Sequence, residues 1–265
     1  MRKIAYQSYL LAASAGIFVF GFNAQADLPT GSLPTAPTQQ EAEEEGDDET
    51  IPEWVRELSN LSPESRSAYT EAFQAAKRAY AAGRMVECEG HLNTCEMYTT
   101  SNPNVWNLRA SALISQARYE EAQQHLDKVL SNDSQDSVAR LSLSLLQLGM
   151  HRYEECIATT DELLDMIRYK EMDQLTYSLT FRKLLCFVML GRMDEARELV
   201  ADYSPMLDAP LYYYSQAVFL YMEGDRKAAL RELTTADSIF RGTGYLSGYR
   251  QALNISGITD VPEQE

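Results

Sequence analysis

The sequence predicts an all-α protein: a right-handed superhelical solenoid of about five helix-turn-helix repeats, closed by a C-terminal capping helix. Three observations carry this reading. Beyond Ile51 nearly every segment is helix-compatible, with apolar residues recurring at three, four and seven positions. Glycine and proline stand where helices would begin or end. And one apolar stripe returns after 34 residues, at Met85, Tyr119 and Tyr153, followed three residues later by the small residues Cys88, Ala122 and Cys156 and seven later by Leu92, Leu126 and Thr160.

The amino-terminal 26 residues lie outside the repeat. Arg2 and Lys3 precede an apolar run from Ile4 to Phe22, and Ala24-Gln25-Ala26 supplies small residues two apart. This is the layout of a secretory signal peptide, with cleavage expected before Asp27. The alternative is a retained membrane anchor, since the run approaches the ~20 residues that span a bilayer. No cysteine stands near Ala26, which argues against a lipid-anchored product.

Residues 27–50 hold eight acids, no Lys or Arg, and almost no large apolar side chain. Such a segment buries too little to offset the entropy of ordering, so residues 27–50 are expected to form a disordered acidic, Pro-rich linker. The whole chain carries a formal charge of -16. The helical body beyond the linker is still about -10, and a surface that negative repels phosphate backbones and argues against nucleic acid as a partner.

The helical body, residues 51–265, opens with Pro52 to Leu58, where Trp54 and Leu58 can cover the first repeat. Ser62-Pro63-Glu64 then combines a cap residue, a proline at the first helical position and an acid at the positive helix end, so a helix should start there. The stripe returns a fourth time at Met193, Ala196 and Val200, and a fifth at Arg226, Ala229 and Leu233. Positions i, i+3 and i+7 share one helix face, which makes the stripe the buried side of the second helix in each repeat. Turn residues are expected just before it, at Gly83, Ala117, Gly149, Gly191 and Gly224, with extra residues between Gly149 and Tyr153 in the third repeat. A longer connection is expected over 165–174. Tyr245, Tyr249 and Leu253, four apart after Gly242 and Gly244, read as the stripe of the capping helix.

Trp106, Ala110, Tyr119, Ala122 and Leu126 resemble the signature positions of the tetratricopeptide repeat family, and the resemblance extends over about Ala68 to Arg241. The closing proline of that family is mostly missing, with Pro103, Pro205 and Pro210 alone near repeat junctions. The resemblance implies a scaffold that holds a protein or peptide along a concave surface built by the first helices. In this chain that surface would include Phe73, Tyr80, Asn107, Ile114, Phe181, Tyr214 and Tyr221. Aromatic residues at helical spacing are equally what a core requires. Phe73 stands where some members carry the lysine of a carboxylate clamp, which disfavours that mode of binding.

No catalytic motif emerges. None of the three histidines lies in a metalloprotease spacing, and phosphate loops, nucleophile elbows and dinucleotide fingerprints are missing from the sequence. His91 and His125 sit one repeat apart, too few ligands for a metal site. The pairs Glu120-Glu121 and Glu154-Glu155 open second helices, where the dipole favours acids. No cofactor is expected. Cys88 and Cys95 are seven apart in one helix, hence ~10 Å along its axis and beyond bridging distance. Cys156 with Cys186 is the one pair a disulfide could join. The expected role is a protein-binding scaffold exported to the periplasm or envelope of a Gram-negative-type bacterium. The alternatives are a membrane-tethered structural subunit and an enzyme with an unrecognised site.

Overall fold

In the computed structural model of the chain, residues 51–167, 174–207 and 209–258 are described. The expected signal peptide and acidic linker, and most of the expected 165–174 connection, lie outside them. Among the described residues twelve α-helices follow one another: α1 Glu53–Ser59, α2 Pro63–Ala81, α3 Met85–Glu96, α4 Pro103–Ser115, α5 Tyr119–Asn132, α6 Ser137–Gly149, α7 Tyr153–Ile167, α8 Gln174–Met189, α9 Met193–Leu199, α10 Pro210–Met222, α11 Arg226–Ile239 and α12 Leu246–Ile255. A short 3-10 turn at Pro205–Leu207 precedes α10.

Each of α2, α4, α6, α8 and α10 packs antiparallel against the helix after it, giving five helical hairpins. The first helices also contact one another in series, α2 with α4, α4 with α6, α6 with α8 and α8 with α10. They form the inner layer of a solenoid whose outer layer is α3, α5, α7, α9 and α11.

Local chemistry sets the helix starts. The Ser62 side chain accepts from the Ser65 amide at 3.2 Å, and Pro63 occupies the first helical position, as the sequence predicts. Asn102 accepts from the Asn104 amide (2.9 Å) ahead of Pro103, and Asp136 and Asp225 cap α6 and α11 through the amides of Ala139 (2.7 Å) and Ala228 (2.9 Å). Pro103 and Pro210 thus serve to open the next first helix.

The hairpin turns repeat one device five times. In the first, the Arg84 amide reaches back to the Ala79 carbonyl and the Gly83 amide to Tyr80, with Gly83 left-handed at φ 72°. The same two bonds recur around Ala117, His151, Gly191 and Gly224, all at positive φ. Here the third turn differs from expectation: the left-handed residue is His151, two before Tyr153 as in every other repeat, and no residues are inserted. Gly149 is instead the last residue of α6. It meets the Tyr119 ring of the neighbouring hairpin so closely that an added Cβ would lie 2.7 Å from it.

The second-helix stripe is buried at its second and third positions, while Met85, Tyr119, Tyr153 and Met193 at its head are half-buried and Arg226 is exposed. Cys88, Ala122, Cys156 and Ala196 are fully buried and Ala229 nearly so, while Leu92, Leu126, Thr160, Val200 and Leu233 complete the same faces. Removing water from the intervening apolar surface, at ~25 cal/mol per Å², is what holds hairpin to hairpin. One core joins the last four hairpins; a second, around Tyr69, Ala76, Cys88 and Leu92, holds the first hairpin to the Val105, Leu108 and Ala112 side of α4.

At the amino end, Leu58 of α1 packs on the first hairpin's core. The Glu57 carboxylate accepts from the hydroxyls of Thr99, Thr100 (3.1 Å) and Ser101 (2.9 Å), fastening α1 over the α3–α4 junction. Burial alone would raise the Glu57 carboxyl; these bonds outweigh it and hold its pKa below the ordinary value.

At the other end, α12 does cap the last repeat, with Leu253 and Ile258 in the core that holds Ala229 and Leu233. It also turns back beneath the solenoid. Its main packing partners are α6, α8 and α10, all first helices, so it lies along the inner face. Its buried stripe is Leu246, Tyr249, Ala252 and Leu253, whereas Tyr245 precedes the helix and is 41% exposed.

Candidate protein-binding surface

The residues expected on the inner wall all lie on first helices: Phe73 and Tyr80 on α2, Asn107 and Ile114 on α4, Phe181 on α8, Tyr214 and Tyr221 on α10. The structure divides them by exposure. Phe73, Tyr80 and Tyr221 are half-buried. Asn107, Ile114, Phe181 and Tyr214 are buried, which corrects the expectation of an open aromatic wall.

Two physical causes account for the burial. Asn107 and Ile114 lie where α4 meets α6: the Asn107 amide donates to the Asp136 cap at 3.4 Å, and Ile114 joins the central core. Phe181 and Tyr214 lie under α12. The Tyr249 ring stands 5.1 Å from Phe181 and 5.0 Å from Tyr214, and those two are themselves 5.6 Å apart edge to face. This three-ring cluster has the offset geometries that aromatic quadrupoles favour. Burial pushes the Tyr214 phenol up to about 12 and Tyr249 well above its ordinary value.

Tyr177 and Tyr203, 5.8 Å apart edge to face, lie close enough to bear on the Tyr249 phenol. Sequence reasoning did not place this pair at the site, because Tyr203 falls in the irregular stretch after α9, where no periodic signal assigns it a face. Further along the inner layer the Gln251 amide donates to the Ser115 hydroxyl at 3.0 Å, across 136 residues of sequence. Ser111 and Ser142 hydroxyls meet at 3.2 Å between α4 and α6. Tyr80 belongs to this polar end; burial raises its phenol against the hydrogen bonds it shares with Ser115, Gln251 and Ser111.

The outer layer carries the titratable groups considered above. Glu120, Glu121, Glu154 and Glu155 open α5 and α7 and are exposed or partly so. A column missed in the sequence precedes them: Arg84, Arg118, Arg152 and Arg192 close the hairpin turns and reach Glu87 (2.9 Å), Glu121 (2.7 Å), Glu155 (4.0 Å) and Glu195 (2.5 Å). Arg118 and Arg192 also bridge to the preceding hairpins through Glu89 and Glu154. Exposed pairs of this kind contribute ~0–1 kcal/mol each and serve orientation more than stability.

His91 lies 3.7 Å from Glu87, while burial pushes His125 down to about 4, keeping it neutral at pH 7. Among the described residues no three of His, Cys, Asp and Glu converge as metal ligands. Nor, among them, is any helix long and apolar enough to cross a membrane.

All four cysteines are buried free thiols. Burial raises Cys88 to about 11 and Cys95 to about 12. Cys156 and Cys186 are neighbours, as the sequence suggested, and share a hydrogen bond, the Cys156 thiol also donating to the Ser144 carbonyl at 3.0 Å. Beside them Arg182, fully buried, donates to the Leu141 carbonyl at 2.8 Å and to the Ser144 hydroxyl, tying α8 to α6.

No family model matches the sequence, and no curated protein matches it either. Among solved structures the chain is similar to a tetratricopeptide repeat protein from Parabacteroides merdae ATCC 43184, with a TM-score of 0.51 at 16% identity over 76% of this chain and 75% of that one. Structures of MamA align as well: a point mutant (TM-score 0.44, 14% identity, 66% of this chain and 97% of that one) and the MSR-1 form (0.45, 14%, 69% and 99%). The first likeness is one of fold: a solenoid of the tetratricopeptide repeat type.

Proposed function

We propose that this chain is a non-catalytic protein-interaction scaffold whose inner helical face receives a partner protein. The observation that carries the reading is that this face, from α4 to α10, already accommodates an amphipathic helix and is lined by aromatic and hydroxyl side chains suited to one. The solenoid fold supports it, since stacked first helices offer one extended surface to an elongated ligand. The amino-terminal segment supports export, with the scaffold acting in the periplasm or envelope, and the acidic body suits partners of basic character.

Cross-linking the tagged chain in its native cells and identifying the captured proteins tests the proposal. Ser115→Arg, which places bulk and charge on the inner face, should reduce capture at least tenfold, while Gln124→Arg on the exposed side of α5 should not. Equal capture by both variants contradicts binding on the inner face, and failure to capture any protein contradicts a scaffold. In the same sample a mature chain beginning at Asp27 supports export with cleavage, and an intact amino terminus favours the tethered alternative.

A further inference from the structure

The helix seated on the inner face is short, and two of its residues supply its polar ties to the solenoid. It has ten residues, no side-chain cap at its start, and follows a loop in which Gly242 and Gly244 take φ of 78° and 75°. A helix of that length is marginal alone in water, so the groove supplies its helicity. Its polar side is fastened at two residues, Gln251 to Ser115 (3.0 Å) and to the Tyr80 hydroxyl, and Arg250 to Asp237 of α11 (2.5 Å) and to the Tyr214 hydroxyl.

Its central anchor fits imperfectly. Tyr249 fills the space between Phe181 and Tyr214, yet its hydroxyl is buried and, among the described residues, meets no hydrogen-bond partner. A phenol stripped of water without a replacement bond weakens the seat it occupies. A phenylalanine in that place would keep the ring contacts and leave no orphaned hydroxyl.

We propose that the inner face from α4 to α10 is a receptor for an amphipathic helix of an interacting protein, and that residues 243–258 are a displaceable surrogate that keeps it closed. The ligand helix would carry an aromatic residue, best phenylalanine, at the Tyr249 position and a basic residue next to it to meet Asp237. A leucine three residues before the aromatic, and a small residue and a leucine three and four after it, complete the stripe. Leu246, Tyr249, Arg250, Ala252 and Leu253 show that pattern in the resident helix. This rests on the scaffold reading and adds the partner's chemistry and its competitor. Competition lowers apparent affinity by the fraction of time the groove is open.

The test uses the full chain and a fluorescent peptide of residues 243–258 carrying Y249F. The Tyr249→Ala chain, its own helix weakened, should bind this peptide at least tenfold more tightly than the unaltered chain, and a peptide carrying Y249A should bind neither. A Tyr249→Ala chain of unchanged helicity that binds no better overturns the proposal. Should that variant fail to fold, hydrogen exchange on the unaltered chain decides: excess peptide must release protection across Leu246–Ile255 while α6 and α8 stay protected, and unchanged protection across Leu246–Ile255 overturns it. Failure of peptide binding alongside partner capture that Ser115→Arg abolishes would remove the helix-receptor inference and leave the scaffold reading standing.

Discussion

The small residue at the centre of each second helix limits how close the hairpin can pack. Ala122 is fully buried with its neighbour Leu126, and three extra heavy atoms there have nowhere to go. Ala122→Leu should cost ~1–3 kcal/mol by overpacking, while Gln124→Leu, on the exposed side of the same helix, should stay within ~0.5 kcal/mol. Denaturant midpoints of the two variants check this, and equal midpoints would mean that the buried frame is wrong. At this scale the core was readable because it follows from spacing alone: Cys88, Ala122, Cys156, Ala196 and Ala229 stand where i+3 predicts. Phe181 and Tyr214 were assigned to the right helices, but their burial depends on Tyr249, a contact that sequence separation hides.

Among the elements, the five hairpin turns share one backbone geometry but not one residue. Gly191 takes φ of 74° with no atom near its missing Cβ, so the cost of a side chain there is conformational. Gly191→Ala should therefore destabilise by ~1 kcal/mol or more. Ala117 holds φ of 56° in the equivalent turn, and Ala117→Gly should gain ~0.5–1 kcal/mol after the added freedom of the unfolded chain is counted. Thermal unfolding of both variants checks the pair; a Gly191→Ala chain as stable as its parent contradicts the shared turn. All five second-helix starts were legible from the stripe. The third turn was not, since glycine is a stronger punctuator than histidine and Gly149 is required for a different reason, the approach of the Tyr119 ring. The burial of α8 on most of its circumference had a trace in the sequence, where Leu179, Phe181, Leu184, Leu185 and Phe187 spread beyond one stripe. By contrast α2 buries Tyr69, Ala72, Ala76 and Ala79 along a single line, as an inner helix that α12 meets at Tyr80 but does not cover should.

In the molecule as a whole, five hairpins make a solenoid and α12 crosses the inner side of α6, α8 and α10, so the concave surface there is covered and not an open groove. Repeat order follows from nearest-neighbour packing, which a 34-residue recurrence encodes directly. The return of α12 to the inner face depends on contacts over more than a hundred residues, which no periodic pattern encodes. That return decides what the inner face can bind, and one contact reports on it: the Gln251 amide on the Ser115 hydroxyl at 3.0 Å. The variant Ser115→Cys/Gln251→Cys, treated at low concentration with a short bifunctional thiol reagent, should be joined within one chain in high yield, because the native cysteines are buried and withheld from the reagent. Mass spectrometry showing that intramolecular link is the expected result, and a chain that stays unlinked, or links only to a second copy, would contradict it.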